Sequence, residues 1–166
     1  MTTLVEDGLP VGIRRAELPL PFPVGPVNCW VLLGNPVTVV DPGMLFEDSL
    51  DLLGRTMADA GLTLSSIEQI VVTHAHPDHF GAAGELARRA DAPIVCGEPE
   101  RHRLIDFHPD RVEARQGEMA ALLRSVGVPE ALEDTFTMMR QMVKDLVAPI
   151  DAGMLIPLND GASLRA

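Results

Sequence analysis

Three of the chain's five histidines fall within six residues, in the run Thr73-His74-Ala75-His76-Pro77-Asp78-His79. It follows Ile70-Val71-Val72, a short β-branched run that reads as a buried strand. It precedes residues 80–90, where Ala82, Leu86 and Ala90 share a helical face. The chain must therefore carry a polar cluster at a strand-to-helix junction. In an extended stretch, residues two apart point the same way, so His74 and His76 can grip one metal ion together. Asp78 and His79 lie past the Pro77 bend and face elsewhere, which makes two neighbouring metal positions natural. Asp78 either caps the helix through a carboxylate oxygen or offers that oxygen to a second metal. Imidazole nitrogen and carboxylate oxygen suit zinc, iron or manganese. A metal with an open position acidifies a bound water and polarises a carbonyl or phosphoryl group. A lone histidine at a strand end is ordinarily structural. Three of them clustered with an aspartate cost stability unless partnered, so the spacing favours metal binding.

The flanking sequence alternates strand and helix. Residues 12–18 read as a first strand. Residues 19–26 hold four prolines, which forbid a helix and keep the chain extended. Residues 27–33 read as a buried strand, Gly34-Asn35-Pro36 as a turn and residues 37–40 as the second arm of a hairpin. Asp41-Pro42-Gly43 turns the chain again. Residues 46–60 show helical spacing through Leu50, Leu53 and Met57, closed by Gly61. With residues 93–96 as a further strand, residues 41–96 read β-α-β-α-β, the pattern of an α/β layered domain. After Gly97 the character changes. Residues 112–126 form an amphipathic helix, broken at Gly127-Val128-Pro129. Leu132, Phe136, Met139, Val143 and Leu146 mark another apolar stripe, ended by Pro149. Residues 154–158 start a strand, and Asn159-Asp160-Gly161 turns.

A length of 166 residues suits one domain with a real core, and 46% apolar with 22% charged residues is ordinary for a globular chain. The formal net charge of −11 argues against a nucleic-acid partner, the small Arg101 to Arg103 patch notwithstanding. Cys29 and Cys96 form no CxxC pair and read as reduced, buried, small apolar side chains. The first ten residues carry Glu6 and Asp7 and no apolar run, so they are not a signal peptide. No stretch approaches the length of a membrane span. No membrane partner and a cytoplasmic location are the expectations.

The residues Thr73 to Ala82 resemble the HxHxDH signature of the metallo-β-lactamase superfamily. Val27-Asn28-Cys29-Trp30-Val31-Leu32-Leu33 resembles that family's second strand, and Val39-Val40-Asp41-Pro42-Gly43 its strand ending in Asp-x-Gly. The resemblance covers about residues 12–97, as three separate blocks in the right order. It implies an α/β fold, the metallo-β-lactamase-like αββα sandwich, with this chain as its N-terminal β-α half followed by a helical insertion. Carried over by position, His74 and His76 would bind a first metal, and Asp78 and His79 a second. The cofactor implied is zinc, as two ions, with iron or manganese as alternatives. Asp78 would also orient or deprotonate the attacking water. Asp41 would support the histidines from behind, although a plain turn residue before Pro42 is an equally good reading.

The full site of the family takes three further ligands from a second half: a histidine, a bridging aspartate and a last histidine. Here the later histidines, His102 and His108, lack the family's His-x-Pro-Gly-His context and read as surface residues. The expected organisation is residues 1–97 as the half with the metal motif, 98–150 as a helical insertion, and 151–166 as the start of an apparently absent C-terminal half. Phe136, Met139 and Met142 are candidates for an apolar lid over the substrate, with packing against the core the slightly favoured alternative. An isolated half would expose one sheet face, which predicts a homo-oligomer or association with the missing half. The leading functional expectation is a metal-dependent hydrolase, using metal-bound hydroxide on an ester, thioester, lactone or lactam carbonyl of a small acyl-type substrate. The alternatives are a catalytically inactive half-domain serving as a binding or assembly module, or a non-hydrolytic iron protein of the same fold.

Overall fold

The computed structural model describes residues 5, 6, 8–129, 132, 135, 138 and 142–164. Two short strands, β1 (Val5–Glu6) and β2 (Leu9–Pro10), form a small antiparallel hairpin. The main sheet has six strands in sequence order: β3 (Ile13–Leu18), β4 (Val27–Leu32), β5 (Thr38–Val40), β6 (Gln69–Val72), β7 (Ile94–Gly97) and β8 (Leu155–Leu158). The pairs β3–β4 and β4–β5 are antiparallel, and β5–β6, β6–β7 and β7–β8 are parallel. Parallel neighbours need crossovers, and helices supply them. α1 (Glu47–Ala58) links β5 to β6. α2 (Pro77–Phe80) and α3 (Ala83–Ala90) link β6 to β7. α4 (Glu98–Asp106) and α5 (Pro109–Ser125) lie between β7 and β8.

The strands alternate sides, as period-2 geometry requires. Val31, Val39, Ile70, Ile94 and Leu155 are cross-strand partners on one face, and all five are buried. Leu53 and Met57 of α1, Phe80 of α2, and Ala83, Leu86 and Ala87 of α3 join them in one cluster. Each fully buried large side chain in this layer contributes roughly 1.5–3 kcal/mol. On the opposite face the row is Trp30, Val40, Val71, Val95 and Ile156. Only Val95 in it is buried, and Ile156 is 47% exposed. Cys29 and Cys96 are free and buried, as their apolar neighbours suggest, and burial pushes the Cys29 thiol far up.

The strand and helix expectations for residues 12–96 hold, with two refinements. The helix after the histidine run is two pieces, α2 and α3, because the chain shifts at Gly81-Ala82. The strand expected over residues 154–158 is β8 (Leu155–Leu158), which joins this sheet as a parallel neighbour of β7. The sequence reading missed α4. Its charged run Glu98-Pro99-Glu100-Arg101-His102-Arg103 offers little apolar periodicity, and Leu104 is the one residue of that helix that is buried. Phe107, at its C-terminus, meets Phe80 edge-on with centroids 5.1 Å apart.

Residues 145–150 run as a strap across the α2–α3 junction. Leu45 N–H donates to the Leu146 carbonyl at 2.8 Å, and Ala148 N–H to the Gly81 carbonyl at 2.7 Å. The approach is close enough that only glycine fits beneath it. A Cβ on Gly81 would lie 2.6 Å from the Leu146 oxygen, and one on Gly84 would overlap the Pro149 carbonyl. Gly84→Ala should therefore lower stability by about 1–3 kcal/mol through overpacking. In an exposed helix the same change would raise stability by roughly 1 kcal/mol. Urea unfolding followed by circular dichroism reads the sign, and an unchanged or raised midpoint would mean the strap is not seated there.

Candidate metal centre

The carboxyl ends of β5 and β6 bring the polar cluster together. The register pairs Val40 with Val71, so the residues that follow each strand emerge side by side. Asp41 leaves β5 with its N–H on the Val71 carbonyl at 2.9 Å. Its φ of +52° is a left-handed conformation that aspartate adopts more readily than most residues. That turn aims a buried carboxylate at the loop after β6. Oδ1 accepts the Thr73 amide at 2.8 Å, and Oδ2 accepts the Thr73 hydroxyl at 2.6 Å. Oδ2 also lies 3.0 Å from His79 Nδ1.

The loop is not a plain extended stretch. His76 N–H donates to the His74 carbonyl at 3.0 Å, a three-residue turn centred on Ala75. The turn brings the two rings together edge-on, with His74 Nε2 and His76 Nδ1 2.9 Å apart. His76 then caps α2, and its carbonyl accepts the His79 amide at 2.9 Å. Pro77 takes the first helical position, where a missing N–H costs nothing. Because His76 is the cap residue, Asp78 lies inside the first turn. Its Oδ2 is 3.7 Å from His79 Nε2. The His74 and His79 rings stack at an angle, centroids 4.2 Å apart.

Taken as neutral rings, His74 and His79 each have one tautomer that satisfies these contacts. The Thr73 hydroxyl has one proton, and it goes to Asp41. Its oxygen then accepts from His74 Nδ1–H, 3.0 Å away, and His74 Nε2 carries the lone pair, which faces His76 Nδ1 at 2.9 Å. Asp41 Oδ2 accepts from His79 Nδ1–H, and in the neutral ring Nε2 is then the lone-pair atom, 3.7 Å from Asp78 Oδ2. Donor atoms of Asp41, His74 and His79 all lie within 4.8 Å of one another. Neutral imidazoles whose far nitrogens are held by a carboxylate or hydroxyl have the donor chemistry that suits zinc and its neighbours. The residues present fit a metal ion.

All five residues singled out from the sequence, Asp41, His74, His76, Asp78 and His79, meet in this cluster. His74, Asp78 and His79 are half-buried, and His76 is exposed. His102 lies exposed on α4, and His108 is the residue before α5. Of the lid candidates, Met142 is 53% exposed; Phe136 and Met139 lie outside the described residues. Two residues were not assigned a role from sequence. Thr73 stands inside the motif as quoted, and a hydroxyl between an aspartate partner and the first histidine was its only signal. Glu100 of α4 accepts the Ala75 amide through Oε2 at 2.9 Å. That amide, with Arg103 beside it, holds the Glu100 carboxyl below the usual range.

Comparison with known proteins places this site in a family. A model described as the metallo-beta-lactamase superfamily matches residues 22–154. The probable metallo-hydrolase YqjP of Bacillus subtilis (strain 168) is 31% identical over 113 residues, 68% of this chain and 34% of that protein. Ribonuclease J of Mycobacterium tuberculosis (strain ATCC 25618 / H37Rv) is 34% identical over 91 residues, 48% of this chain and 16% of that protein. The crystal structure of the metallo-beta-lactamase family protein TTHA1429 from Thermus thermophilus superposes with a TM-score of 0.78 and 26% identity. That match covers 93% of this chain and 48% of the other. The chain thus spans about a third of the first relative's length and about half of the T. thermophilus protein's. The family match takes in β4 to β7, the Asp41 turn, the histidine run and the strap alike, and the chain belongs to the metallo-beta-lactamase superfamily.

Proposed function

We propose that this chain carries the metal-binding part of a metallo-hydrolase site acting on the carbonyl of an ester, thioester, lactone or lactam in a small acyl-type substrate. The observation that supports it most is the Asp41–Thr73 network. Its acceptor oxygens face Nδ1 of His74 and of His79, an arrangement that favours the neutral tautomer offering Nε2 as a ligand. In this reading His74 and His76 hold one ion, and Asp78 and His79 a second, with zinc the metal. A bound metal would supply Lewis acidity toward the carbonyl and an acidified water.

The chain's own residues then have separable tasks. Asp41 fixes the ring angle of His79 directly and that of His74 through Thr73. Asp78 accepts a proton from the attacking water at a carboxylate oxygen, a role its half-exposed position allows. A small acyl substrate is favoured over a polynucleotide by the net charge of −11, which would repel a phosphate backbone. Among the described residues, no helix is long and apolar enough to cross a membrane.

Purified chain dialysed against Zn²⁺ and then against buffer should retain metal. It should also cleave at least one member of a panel of chromogenic esters, thioesters, lactones and lactams. Retention without any cleavage would sink the hydrolase reading and favour a binding module, and loss of all metal would sink the site itself. His74→Ala should remove a ligand and abolish retention at the first position, checked by elemental analysis. Thr73→Val keeps the branched shape but removes the hydroxyl between Asp41 and His74. It should weaken metal binding by about 10–100-fold, the usual effect of losing a group that orients a ligand, whereas Thr73→Ser should stay near the parent. Long-range ¹⁵N–¹H spectra of the metal-free chain should show His74 protonated on Nδ1.

A further inference from the structure

We infer that Glu100 of α4 is a positioning residue for the His74–His76 ligand pair, acting as a clamp on the amide of the residue between them. This deepens the proposed metal site and rests on it.

The backbone polar groups of the ligand turn are mostly satisfied from within the motif. The His74 carbonyl takes the His76 amide, and the His76 carbonyl takes the amides of His79 and Phe80. The Ala75 amide is satisfied from outside, by Glu100 Oε2 at 2.9 Å across 25 residues of sequence. Ala75 itself is buried, so an unmatched N–H there would be costly. That bond holds the N–H end of the His74–Ala75 peptide, whose carbonyl end is held by the His76 amide. A rotation of this peptide would change the angle between His74, which it joins directly, and His76, one residue on.

Glu100 is itself held in place. It is in the first turn of α4, where a carboxylate is favoured by the helix dipole. Arg103, one turn on, lies 3.6 Å from the same oxygen. The Glu100 side chain is only 21% exposed while Arg103 is 61% exposed, so the arginine covers the clamp from the solvent side. α4 is in turn anchored by the buried Leu104. The metal-binding turn is thus gripped from two elements, by Asp41 at the end of β5 and by Glu100 at the start of α4.

The test is Co²⁺ titration of the full chain, read by the visible ligand-field spectrum, for the parent, Glu100→Ala and Glu100→Gln. Glu100→Ala removes the acceptor and should weaken Co²⁺ binding about 10–100-fold, with an altered spectrum. Glu100→Gln keeps a carbonyl oxygen that accepts the amide, and should restore the parental spectrum and most of the affinity. Thermal melts of the metal-free variants report whether each folds. The Ala75 amide should exchange with solvent faster in Glu100→Ala alone. Parental affinity and spectrum in Glu100→Ala overturn the clamp while leaving the metal site standing. A glutamine variant as weak as the alanine variant also overturns it, since charge and not the acceptor would then matter. A parent chain that binds no Co²⁺ overturns the metal site first and the clamp with it.

Discussion

A single buried carboxylate holds the functional end of this fold together. Asp41 accepts an amide, a hydroxyl and an imidazole N–H, from Thr73 and His79, on two oxygens. A carboxylate taken out of water needs such donors or it becomes a liability. Here the donors all come from the segment whose geometry matters for chemistry. The requirement works in both directions. The loop satisfies the aspartate, and the aspartate fixes the loop. The left-handed backbone at Asp41 is what lets the carboxylate turn back from the end of β5 toward β6.

The parallel core makes that meeting unavoidable. β5 and β6 lie side by side in register, so their carboxyl ends release Asp41 and Thr73 at the same edge of the sheet. Crevices outside the carboxyl ends of parallel strands are where α/β folds place ligands, and this site follows the rule. The helices fix the depth of the arrangement. Phe80 is fully buried directly after His79, so α2 is pinned at its C-terminal end while Asp78 and His79 face the cluster. The strap over Gly81 and Gly84 presses on the same junction from outside.

Much of this was legible in the sequence, for identifiable reasons. The β-branched runs at Ile70-Val71-Val72 and Val39-Val40 have strong period and short length, and both are strands. The histidine run marked His74, His76, Asp78 and His79, and the Asp-Pro-Gly block marked Asp41; the structure brings all five close together. What escaped were interactions with no local signature. The bond from Glu100 to Ala75 joins residues 25 apart through a helix whose first six residues are charged or polar apart from Pro99, so neither the helix nor the contact shows in a hydrophobic pattern. Thr73 was visible but mute, because a hydroxyl's role depends on which acceptor takes its single proton. The turn at Ala75 was likewise hidden. An alternating reading of His74 and His76 predicts the correct shared side for a reason the backbone does not use, since the His74 carbonyl and His76 amide close a tight turn instead.

The burial of the cluster bears on which kind of metal site it suits. A structural zinc site closes four protein ligands around the ion and shields it, whereas a catalytic one leaves a position toward solvent or substrate. Here the supporting side of the cluster is enclosed, with the Asp41 side chain 9% exposed. The outer side is not: His76 and Thr73 are exposed, and Asp78 and His79 are only half-covered. The gradient runs from a rigid carboxylate inside to accessible nitrogens outside. That polarity matches a centre built to present an ion to something arriving from solvent. It is a poor match for an ion whose task is to hold the fold together, because the buried core of Leu53, Met57, Phe80 and Leu86 already does that beneath it.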